Sequence, residues 1–139
     1  GVVYKSQNQN QKALEFFLKA LEIQKVLNAP NTAITQTNIA NIYFKAEKLD
    51  EAFQYYTAAK SSLDLHPNTR ALGEWYNNVG AYYNSRNYPQ MALENWQKAI
   101  SAFESIHDKF GLADTYLLLA EFYNAQGEHT KGLQVAKSA

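Results

Sequence analysis

Tyrosine returns along this chain at a nearly fixed interval: Tyr4, Tyr43, Tyr83 and Tyr123 stand 39, 40 and 40 residues apart. Each follows a small residue by three positions, namely Gly1, Ala40, Gly80 and Ala120. A period between about 20 and 50 residues marks supersecondary units that bury their apolar faces against neighbouring copies of themselves. A plain helical bundle imposes no matching residues at that distance. Stacks of this kind mostly bind other proteins, so the period bears on function as well as fold.

The pattern between the marks is helical. Ala13, Leu14, Phe16, Phe17, Ala20, Leu21 and Leu27 recur at three- and four-residue steps, the stripe of an amphipathic helix over about 10–27. Ala29-Pro30-Asn31 punctuates it, with Asn31 or Thr32 as candidate N-cap. Ile34, Ile39, Ala40, Ile42 and Tyr43 continue on a second helix that stops near Lys48-Leu49-Asp50, and Ala52, Phe53, Tyr56, Ala59 and Leu63 mark a third. His66-Pro67-Asn68 breaks that one. Helices over about 69–85 and 89–106 follow, with Pro89 in a first turn, where its missing N–H costs nothing. A helix over about 112–125 comes next, Gly127 ends it, and a last helix begins near His129. No segment alternates every second residue with β-branched side chains, so the expected class is all-α, in antiparallel helix pairs joined by short turns.

A second cluster follows each tyrosine at fixed distance. The third unit reads Tyr76-x2-Val79-Gly80-x2-Tyr83, then Ala92-x3-Trp96-x2-Ala99. The second gives Ile39-Ala40-x2-Tyr43, then Ala52-x3-Tyr56-x2-Ala59; the first, Gly1-x2-Tyr4, then Ala13-x3-Phe17-x2-Ala20. The fourth gives Tyr116-x2-Leu119-Ala120-x2-Tyr123, then Gly132-x3-Ala136-x2-Ala139, without the second aromatic. Small residues let paired helices approach closely, and large aromatics fill the space to the next pair. Tyr43, Tyr83, Trp96 and Tyr56 are accordingly expected to be mostly buried.

This arrangement resembles the tetratricopeptide repeat, whose pattern is W-x2-L-G-x2-Y, then A-x3-F, then proline. The resemblance extends over the whole chain and implies a right-handed α-solenoid of antiparallel helix pairs. It divides the chain into a partial first repeat (1–30), repeats at 31–67 and 68–108, and a fourth, truncated or weakened, at 109–139. Two departures set it apart: the spacing is 40 rather than about 34 residues, and Lys25, Asp64 and Glu104 replace the closing proline. Long-period varieties of the family are the nearest in kind. Gly1 falls on a repeat position, so the chain reads as a fragment of a larger array.

The resemblance also implies that the first helix of each pair lines a concave groove holding an extended segment of a partner. The residues it places there are Asn38, Asn41 and Lys45, then Glu74, Asn77, Asn78 and Asn84, then Asp114 and Glu121. Asparagine costs about 0.6 kcal/mol against alanine inside a helix, so several on two short helices call for a reason. A primary amide both donates and accepts, and a ladder of them can pair with an extended backbone. The competing reading makes them polar filler, or amides that tie neighbouring helices together. A clamp for a terminal carboxylate fits poorly, because only Lys5 and Lys45 lie near the groove while Glu74, Asp114 and Glu121 make its far end acidic. That end suits a segment carrying a basic residue.

Other chemistry finds little support. Thirteen basic and thirteen acidic residues balance, so no global field attracts nucleic acid or an anionic membrane. Cysteine is absent, and His66, His107 and His129 are too far apart for paired metal ligands, reading instead as exposed turn residues. No apolar run approaches the length of a membrane span. Asp114 and Glu121 share a face two turns apart but lack the third positioned group that acid–base catalysis needs. The expectation is a non-catalytic module without metal or cofactor that binds a protein or extended peptide, and neither nucleic acid nor membrane. The alternative is a structural spacer or self-association element of a larger sensor or regulatory protein, joined end to end through uncovered repeat faces.

Overall fold

The computed structural model of the chain describes residues 2–127, with side chains from Asn8 onward. Six helices account for most of them: α1 (Val2–Leu27), α2 (Thr32–Lys45), α3 (Leu49–Leu65), α4 (Thr69–Ser85), α5 (Pro89–Ser105) and α6 (Lys109–Ala125). They form two compact units, Gly1–Pro67 and Asn68–Ala139. In the first, α2 packs chiefly on α3 and also on α1; in the second, α4 packs chiefly on α5, with α6 against both. The chain is an all-α helical-repeat fold. The expected helix near His129, and the cluster Gly132, Ala136 and Ala139, lie outside the described residues, as do the side chains of Tyr4 and Lys5.

The turns after α1, α2, α4 and α5 share one construction. Asn28, Glu47, Asn87 and His107 have φ of 51°, 61°, 65° and 54°, in the left-handed region. Just beyond, the N–H of Lys48, Tyr88 and Asp108 each reaches back 2.9 Å to the carbonyl of Tyr43, Tyr83 and Phe103. This is the six-to-one bond of a Schellman stop, which satisfies carbonyls that a helix end would otherwise leave bare. At the α4–α5 turn the Tyr88 ring also meets Tyr83 edge-on at 6.3 Å, the apolar contact that commonly accompanies such a stop.

Each half of a repeat contributes a matched core. The buried residues of α3 are Ala52, Tyr56, Ala59 and Leu63; those of α5 are Ala92, Trp96, Ala99 and Phe103. Trp96, 1% exposed, lies against Gly80 of α4 so closely that a Cβ there would collide with the indole. Its Nε1 donates to the Asn77 carbonyl at 3.2 Å, and its ring meets Phe122 of α6 edge-on at 5.6 Å. Phe103 sits between two glycines: a Cβ at Gly73 would lie 2.7 Å from its ring, and one at Gly111 would collide with it.

Tyr56 and Trp96 are fully buried and Tyr43 and Tyr83 mostly so, as expected. The latter two occupy the last turns of α2 and α4, where Tyr43 stacks on Tyr55 at 5.6 Å, while Tyr83 meets Tyr88 and packs on the core of the second unit. Several other expectations need correction. Helix α1 runs unbroken from Val2, which places Tyr4 and Ala13 on one helix where the repeat pattern predicts two. The intervening Gln7-Asn8-Gln9-Asn10 offers no Gly or Pro to stop it. Phe16 and Leu27, read as part of its buried stripe, are exposed, as is Phe53 on α3. Asn31 occupies the N-cap position of α2 without a side-chain cap bond; its Oδ1 accepts from Gln24 Nε2 instead. Helix α6 begins at Lys109 rather than near 112, because Asp108 caps it, accepting from the Gly111 N–H at 3.1 Å.

Candidate functional site

The predicted site residues lie on one face of α2 in the first unit, and on α4 and α6 in the second. The asparagines divide into two kinds. Asn41 Oδ1 accepts from the Tyr56 hydroxyl at 2.6 Å, joining α2 to α3. Asn77 Oδ1 lies 2.7 Å from Thr115 Oγ1, joining α4 to α6. Thr115 is wholly buried and also approaches the Gly111 carbonyl at 3.1 Å. One hydroxyl proton serves one acceptor at a time, and turning the Asn77 amide so that its Nδ2 donates satisfies all three groups. Asn41 and Asn77 are thus helix ties.

Asn38 and Asn78 differ. They hold the same place, each just before the Ile39-Ala40 or Val79-Gly80 pair, and both are half-buried. Among the described residues no hydrogen bond to either side chain is formed. Lys45, Glu74, Asn84, Asp114 and Glu121 are exposed.

Arg70, Glu74, Asp108 and Asp114 form an electrostatic cluster where α4 and α6 begin. Burial pushes the Glu74 carboxyl above its ordinary range; Arg70 opposes this, while Asp108 and Asp114 add to it. Arg70 Nε pairs with Asp108 Oδ2 at 2.9 Å, while Glu74 and Asp114 are exposed. Asp108 is held below the usual carboxylate range, chiefly by the Gly111 N–H and then by Arg70.

Two recesses escaped sequence reasoning. In the second unit, Thr69, Leu72 and Tyr76 of α4 and Gln97, Lys98 and Ser101 of α5 line an open cleft of about 550 Å³. None of the predicted site residues enters it. In the first unit, a pocket of about 170 Å³ lies where α1 and α3 end and α2 begins. There Ser62 Oγ donates to Oε1 of buried Gln36 at 2.6 Å, while Gln24 Oε1 and His66 Nε2 are buried without a bond among the described residues. His66 is therefore half-buried rather than an exposed turn residue; His107 is exposed as expected, and His129 lies outside the described residues. A Gln and a Ser 26 positions apart carry no joint signal in the sequence. Among the described residues no His, Cys, Asp or Glu cluster has metal-site geometry, and no helix is long and apolar enough to cross a membrane.

Comparison with known proteins agrees with this architecture. Residues 1–64 match the family model described as tetratricopeptide repeat. No curated protein sequence matches the chain. Among solved structures, that of BtubC (BKLC) from P. vanneervenii superposes with a TM-score of 0.77 at 23% identity, over 97% of this chain and 57% of that one. This chain thus spans little more than half the length of that protein, and the likeness shows the fold alone. Tetratricopeptide repeats generally mediate protein–protein interaction as non-catalytic scaffolds.

Proposed function

Proceeding from a first unit that matches the tetratricopeptide repeat, we propose that the chain is a non-catalytic scaffold that holds an extended segment of a partner protein. The faces concerned are those carrying Asn38 and Lys45 on α2 and Glu74, Asn78, Asn84, Asp114 and Glu121 on α4 and α6. The observation that carries this reading is the pair Asn38 and Asn78. Two amides at equivalent positions, half-buried on helices that asparagine disfavours, make no bond within the described fold. Each can donate to and accept from an extended backbone, and the acidic residues on α4 and α6 favour a segment with a basic residue. Asn41 and Asn77 support the site by fixing α2 on α3 and α4 on α6, and are positioning residues.

Selection of peptides from a displayed library, followed by affinity measurement with the double variant Asn38→Ala/Asn78→Ala, tests the reading. Selected peptides are expected to bind the variant about tenfold or more weakly, two buried hydrogen bonds being worth that much. Equal binding by a folded variant, or no peptide selected above background, overturns it. Asn41 and Asn77 are left intact, because removing them loosens the helix pairs.

A further inference from the structure

One face of α1 is uncovered by the rest of its unit. Phe16 and Ile23 are 67% and 62% exposed there. Lys12 and Lys19, both exposed, share that face, since positions 12, 16, 19 and 23 advance by four, three and four. The Lys19 ammonium lies 5.7 Å from the centroid of the Phe16 ring, so the strip is cationic as well as apolar.

Helix α6 carries the complement. Phe110 and Leu117 are 86% and 59% exposed, and exposed Asp114 and Glu121 share their face. Positions 110, 114, 117 and 121 again advance by four, three and four. Because that spacing reads the same in both directions, an antiparallel pairing brings all four places into register. Lys12 then faces Glu121 and Lys19 faces Asp114, while Phe16 meets Leu117 and Ile23 meets Phe110. The parallel pairing sets every charge against an apolar side chain. Each strip spans about three helical turns, roughly 16 Å.

We propose that α1 of one copy of this chain docks antiparallel on α6 of a second copy, with two ion pairs alternating with two apolar contacts. Asp114 and Glu121 belong to the surface assigned above to a partner segment. The inference therefore rests on that surface being a docking face, and names the α1 helix of another copy as an occupant. The contact joins different patches of the two copies. It closes as a two-fold pair when both α1–α6 contacts form at once, and otherwise runs on head to tail. Opposed charge at matched spacing excludes shifted registers more than it adds affinity, so association is expected to be weak and to fall with salt.

Analytical ultracentrifugation of the whole chain from micromolar to near-millimolar concentration tests this, with helicity checked by circular dichroism. Average mass is expected to rise with concentration and to fall on adding salt. Asp114→Lys/Glu121→Lys, and separately Lys12→Glu/Lys19→Glu, should each weaken association about tenfold, two exposed ion pairs turning repulsive. An equimolar mixture of the two variants should restore it, because the reversed α1 of one then meets the reversed α6 of the other. A chain that stays monomeric throughout, reversal without effect, or a mixture that fails to recover would overturn the pairing. The peptide measurements with the Asn38 and Asn78 variant are read separately, so either proposal can fail alone.

Discussion

Asp108 shows how one side chain can set an element boundary and an electrostatic field together. Its carboxylate accepts from the Gly111 N–H, which starts α6 three residues earlier than apolar spacing alone suggests, and it takes the Arg70 guanidinium at 2.9 Å. Both contacts favour the ionised form, so its folded pKa lies below the ordinary 3.8. The sign of the linkage follows. The unfolded chain takes up this proton more readily, so the stabilisation is complete well above 3.8 and is lost as pH falls through the folded value. Thermal melts of wild type and Asp108→Asn should therefore differ at neutral pH and converge in acid, as pH falls through the folded value. A gap that persists undiminished into acid would assign the loss to something other than this charge. Glu74 has the opposite character, raised chiefly by burial, with Arg70 opposing and its acidic neighbours adding to the shift. The sequence disclosed that these acids share a region, but not that Arg70 is already spent on Asp108. Residues 38 apart reveal such a pair only once α4 and α6 are packed.

At the scale of helices, glycine and aromatic side chains are chosen together. Gly80 lies inside α4, where glycine is disfavoured by about 1 kcal/mol against alanine. Propensity alone therefore predicts that Gly80→Ala stabilises. Packing predicts the reverse, because the added methyl would collide with the Trp96 indole, whose position is fixed by its bond to the Asn77 carbonyl and by Phe122. The expected outcome is a loss of about 1–3 kcal/mol in urea melts, and a neutral or stabilising result would mean that Trp96 moves freely. The equivalent positions in the first unit are Ala40 and Tyr56, a larger small residue with a smaller ring. This coupling was legible in the sequence, because a repeated small residue and a repeated aromatic can serve each other only in the core. Gly73 and Gly111, which enclose Phe103, escaped notice although each carries the same helix penalty, since neither falls on the recurring motif. The division of the asparagines was equally hidden. Asn41 and Asn38 differ by less than one turn, and only the placement of Tyr56 separates a helix tie from an amide that makes no bond among the described residues.

The two units are unequal in how well they are closed. In the second, α6 rests on both α4 and α5, and Trp96, Phe103, Leu119 and Phe122 are all at most 5% exposed. In the first, the long α1 rests among the described residues on α2, with Leu21 as its one buried residue among those described and Phe16, Ile23, Val26 and Leu27 turned to solvent. Helical-repeat chains derive stability from the fit of neighbouring helices, and a weakly covered helix opens at lower cost than a well-packed one. Both tryptophans, Trp75 and Trp96, belong to the second unit, so their fluorescence reports that unit while circular dichroism reports every helix. In a urea titration at low protein concentration, ellipticity should begin to fall before fluorescence changes, the early part coming from α1. Coincident transitions would instead establish one cooperative unit and remove the case for a loosely held α1. If the α1–α6 pairing operates, the early phase should also shrink at high protein concentration. Docking on a second copy covers the face that leaves α1 weak and stabilises it by mass action. An early phase unaffected by concentration would leave α1 poorly covered in every state of the molecule.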